Sequence, residues 1–308
     1  MNLTPELVSI IIVNYKSEEK TINFIETELS KIKLPNRVVI VNNGADTESD
    51  HTLTTRLKAQ LITNILSDDI DKEKRCFVIS EQDNLGFARG NNIGADFAQK
   101  NFKSKYLIFS NNDLRFITQS TVEMLIEKLE RLPGKFAGIG PAVIGLDHKH
   151  QSPIIYLSFF KKWFLGLWVT PFLNEKQKLR IYKIDRNNFK EGQYYSLMGS
   201  FFIIKSEDFF ACNKFDPNTF LYGEEVILSE RLMRINKYFY YYPACKIVHE
   251  HSQTITNYFS NFSKTKMQFS NDVYYFRTYR HLSRVNQCFC WLSVKLHFYL
   301  KLIKDKLK

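Results

Sequence analysis

Short apolar runs, each closed by amides, acids or glycine, recur along the first half of this chain. Val8-Ser9-Ile10-Ile11-Ile12-Val13 lacks polar alternation, the pattern of a strand covered on both faces. Arg37-Val38-Val39-Ile40-Val41 repeats it and ends in Asn42-Asn43-Gly44. Cys76–Ser80 and Tyr106–Ser110 read as two further strands. Helical spacing fills the intervals. Behind Ser17, a candidate cap, Ile22, Ile25 and Leu29 form an inner stripe. Thr52–Leu66 predicts a second helix, and about Ala88–Gln99 a third, after the turn Asp83-Asn84-Leu85-Gly86. Ser120 and Glu123 stand at capping-box spacing before Val122, Leu125, Ile126 and Leu129. Strand–helix–strand order predicts parallel strands joined by right-handed crossovers.

From Gly138 the pattern changes. Gly138–Ile144 reads as a strand start, and 147–190 as an irregular stretch, expected to be a mobile or acceptor-facing loop. Gly199–Ile204 is a glycine-led strand, and Glu224–Asn236 a helix with Val226, Leu228, Leu232 and Ile235 as apolar positions. Tyr238–Tyr242 is a strand and Lys246–His251 an extended stretch. The element count predicts one nucleotide-binding α/β domain over 1–254, with halves of about 1–115 and 116–254, then an extension over 255–308.

Composition adds two constraints. At 308 residues with 44% hydrophobic, the chain is long enough for a large core. Its five cysteines form no C-x-x-C pair, so reduced thiols are expected, and no basic leader precedes Val8. Of the formal net charge of +11, residues 255–308 contribute +8, from seven Lys and three Arg against Asp272 and Asp305. Twelve Phe, Tyr and Trp are interleaved there. That mixture suits an anionic membrane interface, or a helical subdomain whose rings pack on the core; nucleic acid is the disfavoured partner. No uncharged run reaches the roughly 20 residues needed to span a bilayer.

Four groups can carry chemistry. Asn111-Asn112-Asp113 follows the strand Tyr106–Ser110, where open α/β folds gather their ligands. Asp113 is a hard oxygen ligand suited to Mg²⁺ or Mn²⁺ held jointly by a diphosphate; otherwise the group is a capped turn. Asp83–Asn92 places Gly86, Arg89 and Gly90 at a helix start, which suits phosphate or a glycine-punctuated surface turn. Glu224 and Glu225 open a helix, either as dipole partners or as a general base. His249 and His251 share one face of an extended stretch, as metal ligands beside a carboxylate or as structural histidines.

Taken together, Val8–Tyr15, Val39–Gly44, Asn84–Asn92, Phe109–Asp113, Gly199–Ile204, Phe220–Leu232 and His249 make the chain resemble the family 2 glycosyltransferases, in particular the rhamnosyltransferase- and galactofuranosyltransferase-like enzymes of bacterial surface polysaccharides. Tyr274–Arg280 is a weaker echo. The resemblance implies a GT-A fold and a nucleotide-sugar donor, UDP- or dTDP-linked. It implies that Val13, Asn14, Tyr15, Asn42 and Asn43 hold the nucleoside, and that Asn84, Gly86, Arg89 and Asn92 close over base and phosphates. Asn112 and Asp113 then face the metal-bound diphosphate, with Asp113, His249 and His251 as candidate ligands. Glu225, or else Glu224, is the base, and Gly199 and Ser200 lie toward the acceptor.

The implied reaction is inverting transfer to a glycan or a polyprenyl-diphosphate-linked glycan, at the cytoplasmic face of the plasma membrane. Two departures stand out: Asn43 and Glu225 occupy positions where family members usually carry Asp. A sugar-phosphate nucleotidyltransferase is the runner-up, but Asn14–Glu19 lacks the glycines and basic cluster expected after its first strand. A catalytically weak scaffold of a polysaccharide assembly complex is the non-enzymatic alternative, motivated by the same two departures.

Overall fold

The computed structural model describes residues 8–66, 69–162 and 189–250, residues 261–299 except 287, 290, 294, 297 and 298, and positions 168, 172–174, 176–177 and 181. Among these, ten strands form one sheet: β1 (Val8–Asn14), β2 (Arg37–Asn43), β3 (Gln60–Ile62), β4 (Cys76–Glu81), β5 (Tyr106–Ser110), β6 (Leu114–Phe116), β7 (Phe136–Gly145), β8 (Gly192–Tyr194), β9 (Phe201–Lys205) and β10 (Tyr238–His249). The helices are α1 (Glu18–Thr27), α2 (Thr47–Leu57), α3 (Gly86–Phe102), α4 (Thr121–Arg131), α5 (Ser206–Ala211), α6 (Glu224–Arg234) and α7 (Asn261–Tyr279).

Sheet order is β3-β4-β2-β1-β5-β9-β7-β10-β6, with β8 on β10. Strands β3, β4, β2, β1 and β5 run parallel, as the crossovers predict. Antiparallel β9 joins β5 to β7, so β7 and its parallel partner β10 point the same way as β1. This arithmetic of directions places the ends of β1, β2, β5 and β10 and the start of β9 on one edge of the sheet. The order reverses at β1, flanked by β2 on one side and β5 on the other, and such reversals open a crevice at the carboxyl edge.

Residue parity along the strands builds a three-layer core. Ile10, Ile12, Val38, Ile40 and Ile108 pack with Ile22 and Ile25 of α1, Leu53 of α2, and Leu125 and Leu129 of α4. Ile11, Val39, Val41, Leu107 and Phe109 pack with Ala88, Ala95 and Phe97 of α3, Phe209 of α5, and Leu228 and Leu232 of α6. The continuous apolar runs are therefore strands with a helical layer on each face.

Local expectations fail where a polar side chain has a better partner than the one its spacing suggested. Ser17 precedes α1 but makes no cap bond; its hydroxyl donates to Asn14 Oδ1. The second helix is Thr47–Leu57, not Thr52–Leu66, because Asp46 and Ser49 form a capping box and Lys58 turns left-handed after the last turn. Glu123 forms no box with Ser120; its Oε1 accepts from the backbone N–H groups of Lys33 and Leu34. Tyr238–Tyr242 and Lys246–His249 are one strand with a register shift between them.

The first part of the C-terminal extension packs inward. Tyr275, Phe276 and Tyr279 of α7 are buried with Ile227 of α6. Asp216 accepts from the hydroxyls of Tyr274 and Tyr279, and Glu230 from those of Tyr195 and Tyr275. Beyond α7 the rings turn outward: Phe289, Trp291 and Tyr299 are exposed. The two readings of the basic, aromatic tail thus apply to different parts of it. Among the described residues no helix is long and apolar enough to cross a membrane.

Candidate functional site

The carboxyl edge gathers side chains that are distant in sequence. Asp113 follows β5, and its carbonyl accepts from the backbone N–H of Glu250. Antiparallel β6 brings Leu114 opposite His249, the last residue of β10. Asp113 Oδ1 consequently lies 3.2 Å from His249 Nε2. His249 Nδ1 is 2.8 Å from Gln151 Oε1, and a carboxamide oxygen only accepts. Nδ1 therefore donates to Gln151, and Nε2 is the ring nitrogen that faces Asp113. Asn111 Nδ2 stands 3.5 Å from the same Nε2. Gln151 was not singled out in the sequence, where it lies in an irregular stretch with no motif to mark it. His251 lies outside the described residues.

This pair fits a divalent ion. Ligands at about 2.1 Å on adjacent octahedral positions stand about 3 Å apart, and carboxylate with imidazole suits Mn²⁺. Among the described residues no group of three or more His, Cys, Asp or Glu can enclose a metal. A site with two protein ligands leaves positions for phosphate and water, the arrangement that Mg²⁺ and Mn²⁺ accept beside a diphosphate.

The asparagines at the strand ends bind one another. Asn14 Nδ2 donates to Asn42 Oδ1 and Glu18 Oε1, while Asn14 Oδ1 accepts from Ser17 and Thr21. Asn42 Nδ2 donates to Ser49 Oγ and Asp50 Oδ1. Asn43 donates to Asn84 Oδ1 and the Gly86 carbonyl and accepts from the N–H of Leu85. Asn112 donates to Ser17 and Thr21. These amides lace β1, β2, β5, α1 and the turn before α3 into one rigid edge. Val13 packs against Gly90, and the Tyr15 ring lies over Gly44, both beside that network at the strand ends.

The start of α3 is committed to the protein itself. The N–H of Gly86 donates to Asn84 Oδ1, and that of Phe87 to the Phe220 carbonyl. Arg89 Nε donates to the Pro217 carbonyl, and Asn92 exchanges two bonds with the Phe215 backbone. A Cβ at Gly86, where φ is +81°, would collide with the Phe220 carbonyl. Gly90 and Gly94 admit side chains of β1, Val13 and Ile11. Glycines at 86, 90 and 94 therefore serve close packing, and Arg89 and Asn92 hold the 215–220 segment.

That segment leads into Glu224 and Glu225 at the start of α6. Glu224 is buried, and its Oε1 has no hydrogen-bond partner among the described residues. Burial, and then the charge of Glu225, push its pKa up to about 8. Glu225 is half-buried, and burial raises its pKa as well, with Lys162 opposing that shift and Asp272 adding to it. A side chain at Gly199 would stand 3.8 Å from the Glu225 carboxylate. The next residue, Ser200, accepts the N–H of Asn111 through its carbonyl, and its own hydroxyl is buried without a partner among the described residues. The turn Gly199-Ser200 thus connects the acid pair of α6 to the Asn111–Asp113 turn.

A family model described as Glycosyl transferase family 2 matches residues 9–209, about two thirds of the chain. The chain belongs to glycosyl transferase family 2. No curated protein matches it in sequence. Among solved structures, it is similar to the mannosyltransferase PcManGT from Pyrobaculum calidifontis in complex with GDP-Man and Mn²⁺, at 9% identity and a TM-score of 0.55, covering 90% of this chain and 65% of that one. It also matches GalNAc-T7 with UDP, GalNAc and Mn²⁺ at 14% identity and a TM-score of 0.49, covering 80% and 44%. S. aureus TarS 1–349 matches at 12% identity and a TM-score of 0.49, covering 89% and 73%. The chain spans less than two thirds of the length of the first two of these structures. Its fold is the GT-A fold of the glycosyltransferases, as the parallel sheet and its crevice require. Glu224, Glu225 and His249 all lie beyond the matched residues.

Proposed function

We propose that this family 2 glycosyltransferase moves a sugar from a nucleotide-sugar donor to a hydroxyl of a glycan acceptor, with inversion at the anomeric carbon. The observation that carries the reading is the apposition of Asp113 and His249 at 3.2 Å beside the crevice at β1. In this proposal Asp113 and His249 hold Mg²⁺ or Mn²⁺, and His251 is the further ligand candidate. When bound, the ion offsets the charge that develops on the departing nucleoside diphosphate.

The protein's own residues supply the rest. Tyr15 and Val13, together with the edge that Asn14, Asn42, Asn43, Asn84 and Asn112 brace, form the nucleoside side of the crevice. Glu225 takes the proton of the acceptor hydroxyl as it attacks from the face opposite the phosphate. Glu225 is preferred over Glu224 because Glu224 is closed off from solvent, whereas Glu225 is partly open and adjoins Gly199. Gly199 and Ser200 form the floor between base and diphosphate. The replacement of Asp by Glu at 225 moves the carboxylate outward by one methylene and calls for an acceptor seated correspondingly farther from α6.

The substrates extend the same reading. The donor is UDP- or dTDP-linked, and the acceptor is a glycan of the bacterial cell surface, carried on a polyprenyl diphosphate at the inner face of the plasma membrane. The reading follows the resemblance to the rhamnosyltransferase- and galactofuranosyltransferase-like branch of the family. Support for a membrane-borne acceptor comes from residues 284–299. Val285, Phe289, Leu292, Leu296 and Tyr299 are exposed and recur every three to four positions, so they form one apolar face of a helix. Trp291, Arg284 and Lys295 are exposed near it, a mixture that favours an anionic lipid interface.

The experiment is a thermal-melt screen of UDP, dTDP, GDP and CDP with Mn²⁺ or Mg²⁺ on the wild type and on Asp113→Asn. A ligand at about 100 times its Kd adds about 2.7 kcal/mol, which raises Tm by about 5 °C. One base is expected to give that shift only with metal, and Asp113→Asn to abolish it. If no nucleotide moves the melt, or the shift survives in Asp113→Asn, the reading is wrong.

A further inference from the structure

The backbone that leads into α6 is unusual. Tyr222 has φ +78° and Gly223 φ +90°, two successive left-handed residues directly before Glu224 and Glu225. Glycine adopts that region freely, but an aromatic residue does so only when its surroundings hold it there. Two elements hold it. From one side, the N–H of Phe87 in α3 donates to the Phe220 carbonyl at 2.8 Å. From the other, Asn271 of α7 donates through Nδ2 to the carbonyls of Leu221 at 2.7 Å and Tyr222 at 3.0 Å. One amide group therefore fixes two consecutive peptide planes of the turn from which the acid pair projects.

The neighbouring residue acts on the same carboxylate by charge. Asp272 is largely buried and pairs with Lys162 at 2.6 Å. Both charges are felt by Glu225, the ammonium favouring its ionised form and the carboxylate opposing it. Lys162 belongs to a segment also seated on α7, where Phe159 packs edge-on against Phe276 and Arg280 reaches Tyr156. Asn271 and Asp272 lie beyond the residues that the family model matches.

We infer that Asn271 of α7 is a positioning residue for Glu225, fixing the left-handed turn before α6. The inference rests on the proposed role of Glu225 as base. It makes the C-terminal helix a working part of the transferase rather than an appendage. A loop that relaxes from this conformation swings the acid pair away from Gly199 and leaves the Asp113–His249 edge untouched. Losses should then fall on turnover, not on donor binding.

The test uses the full chain and two variants, read by hydrogen exchange and by steady-state kinetics. In Asn271→Ala, exchange in peptides covering 219–226 should rise about tenfold, with peptides of β1, β2 and β5 unchanged. Losing two hydrogen bonds from the turn should lower kcat about 30-fold, with donor KM within about twofold. Asn271→Gln, which keeps the donor, should recover part of kcat.

Unchanged exchange at 219–226, or equal losses in kcat and donor affinity, overturns the role of Asn271. If the wild type transfers no sugar from any donor, the function is wrong, while the exchange arm still decides whether Asn271 holds the turn.

Discussion

Glu224→Gln is the perturbation whose sign and size the structure fixes best. Glu224 is 3% exposed, and its Oε1 meets no donor among the described residues. Its pKa rises from an ordinary 4.5 to about 8, first through burial and second through the charge of Glu225. Between those two values the folded state binds a proton that the unfolded chain releases. Stability therefore falls as pH rises through this window, in contrast to an acid with a lowered pKa. Each unit of difference corresponds to about 1.36 kcal/mol, so at pH 7 the wild type has lost about 3 kcal/mol relative to pH 4. Glutamine has the same shape and does not ionise, so that loss disappears in the variant. The carboxamide inherits the unpartnered oxygen position, which leaves the two proteins similar in stability near pH 4.5. Urea denaturation at fixed ionic strength should show Glu224→Gln and the wild type within about 1 kcal/mol at pH 4.5, and the variant ahead by about 2–3 kcal/mol at pH 7.5. In a melt this is a gain of roughly 4–6 °C at the higher pH. A stability difference that does not change with pH, or one that shrinks as pH rises, refutes the protonated buried acid.

Two further outcomes follow from the packing. Gly86→Ala forces a Cβ onto a left-handed residue against the Phe220 carbonyl, so it should destabilise by about 2 kcal/mol or more and loosen the 215–223 segment, measurable as a lower Tm and faster exchange there. Removal of residues 281–308 should release the protein from anionic vesicles while leaving nucleotide-dependent melting intact, because α7 and its buried tyrosines remain; undiminished vesicle binding rules out the exposed stripe as the contact.

The places of several candidate residues were legible before folding, and for identifiable reasons. Asp113 was marked by its place after a fully apolar strand, where a parallel sheet exposes its carboxyl ends. His249 and Glu225 were marked by order and residue type. The amides misled in one respect. Asn14, Asn42, Asn43 and Asn112 looked like ligand contacts, yet they bond chiefly to one another and to α1 and α2. An amide offers the same donors and acceptor to a nucleotide or to a neighbouring strand, and only the register decides which it meets. Gly86 and Gly90 were likewise read as room for phosphate, whereas the room is filled by Phe220 and Val13.

Sequence alone marked most of the parallel strands, since runs such as Ile10-Ile11-Ile12 and Leu107-Ile108-Phe109 offer no polar face to water, and it marked the carboxylates and histidine proposed for this chemistry. Tertiary structure decided which of them meet. Antiparallel β6 and β9 bring residues 113, 200 and 249 to one edge, and α7 reaches back across more than thirty residues of sequence to hold the turn before Glu224. Those contacts depend on strand direction and on hydrogen bonds between distant segments, quantities that no local pattern of hydrophobic and polar residues encodes.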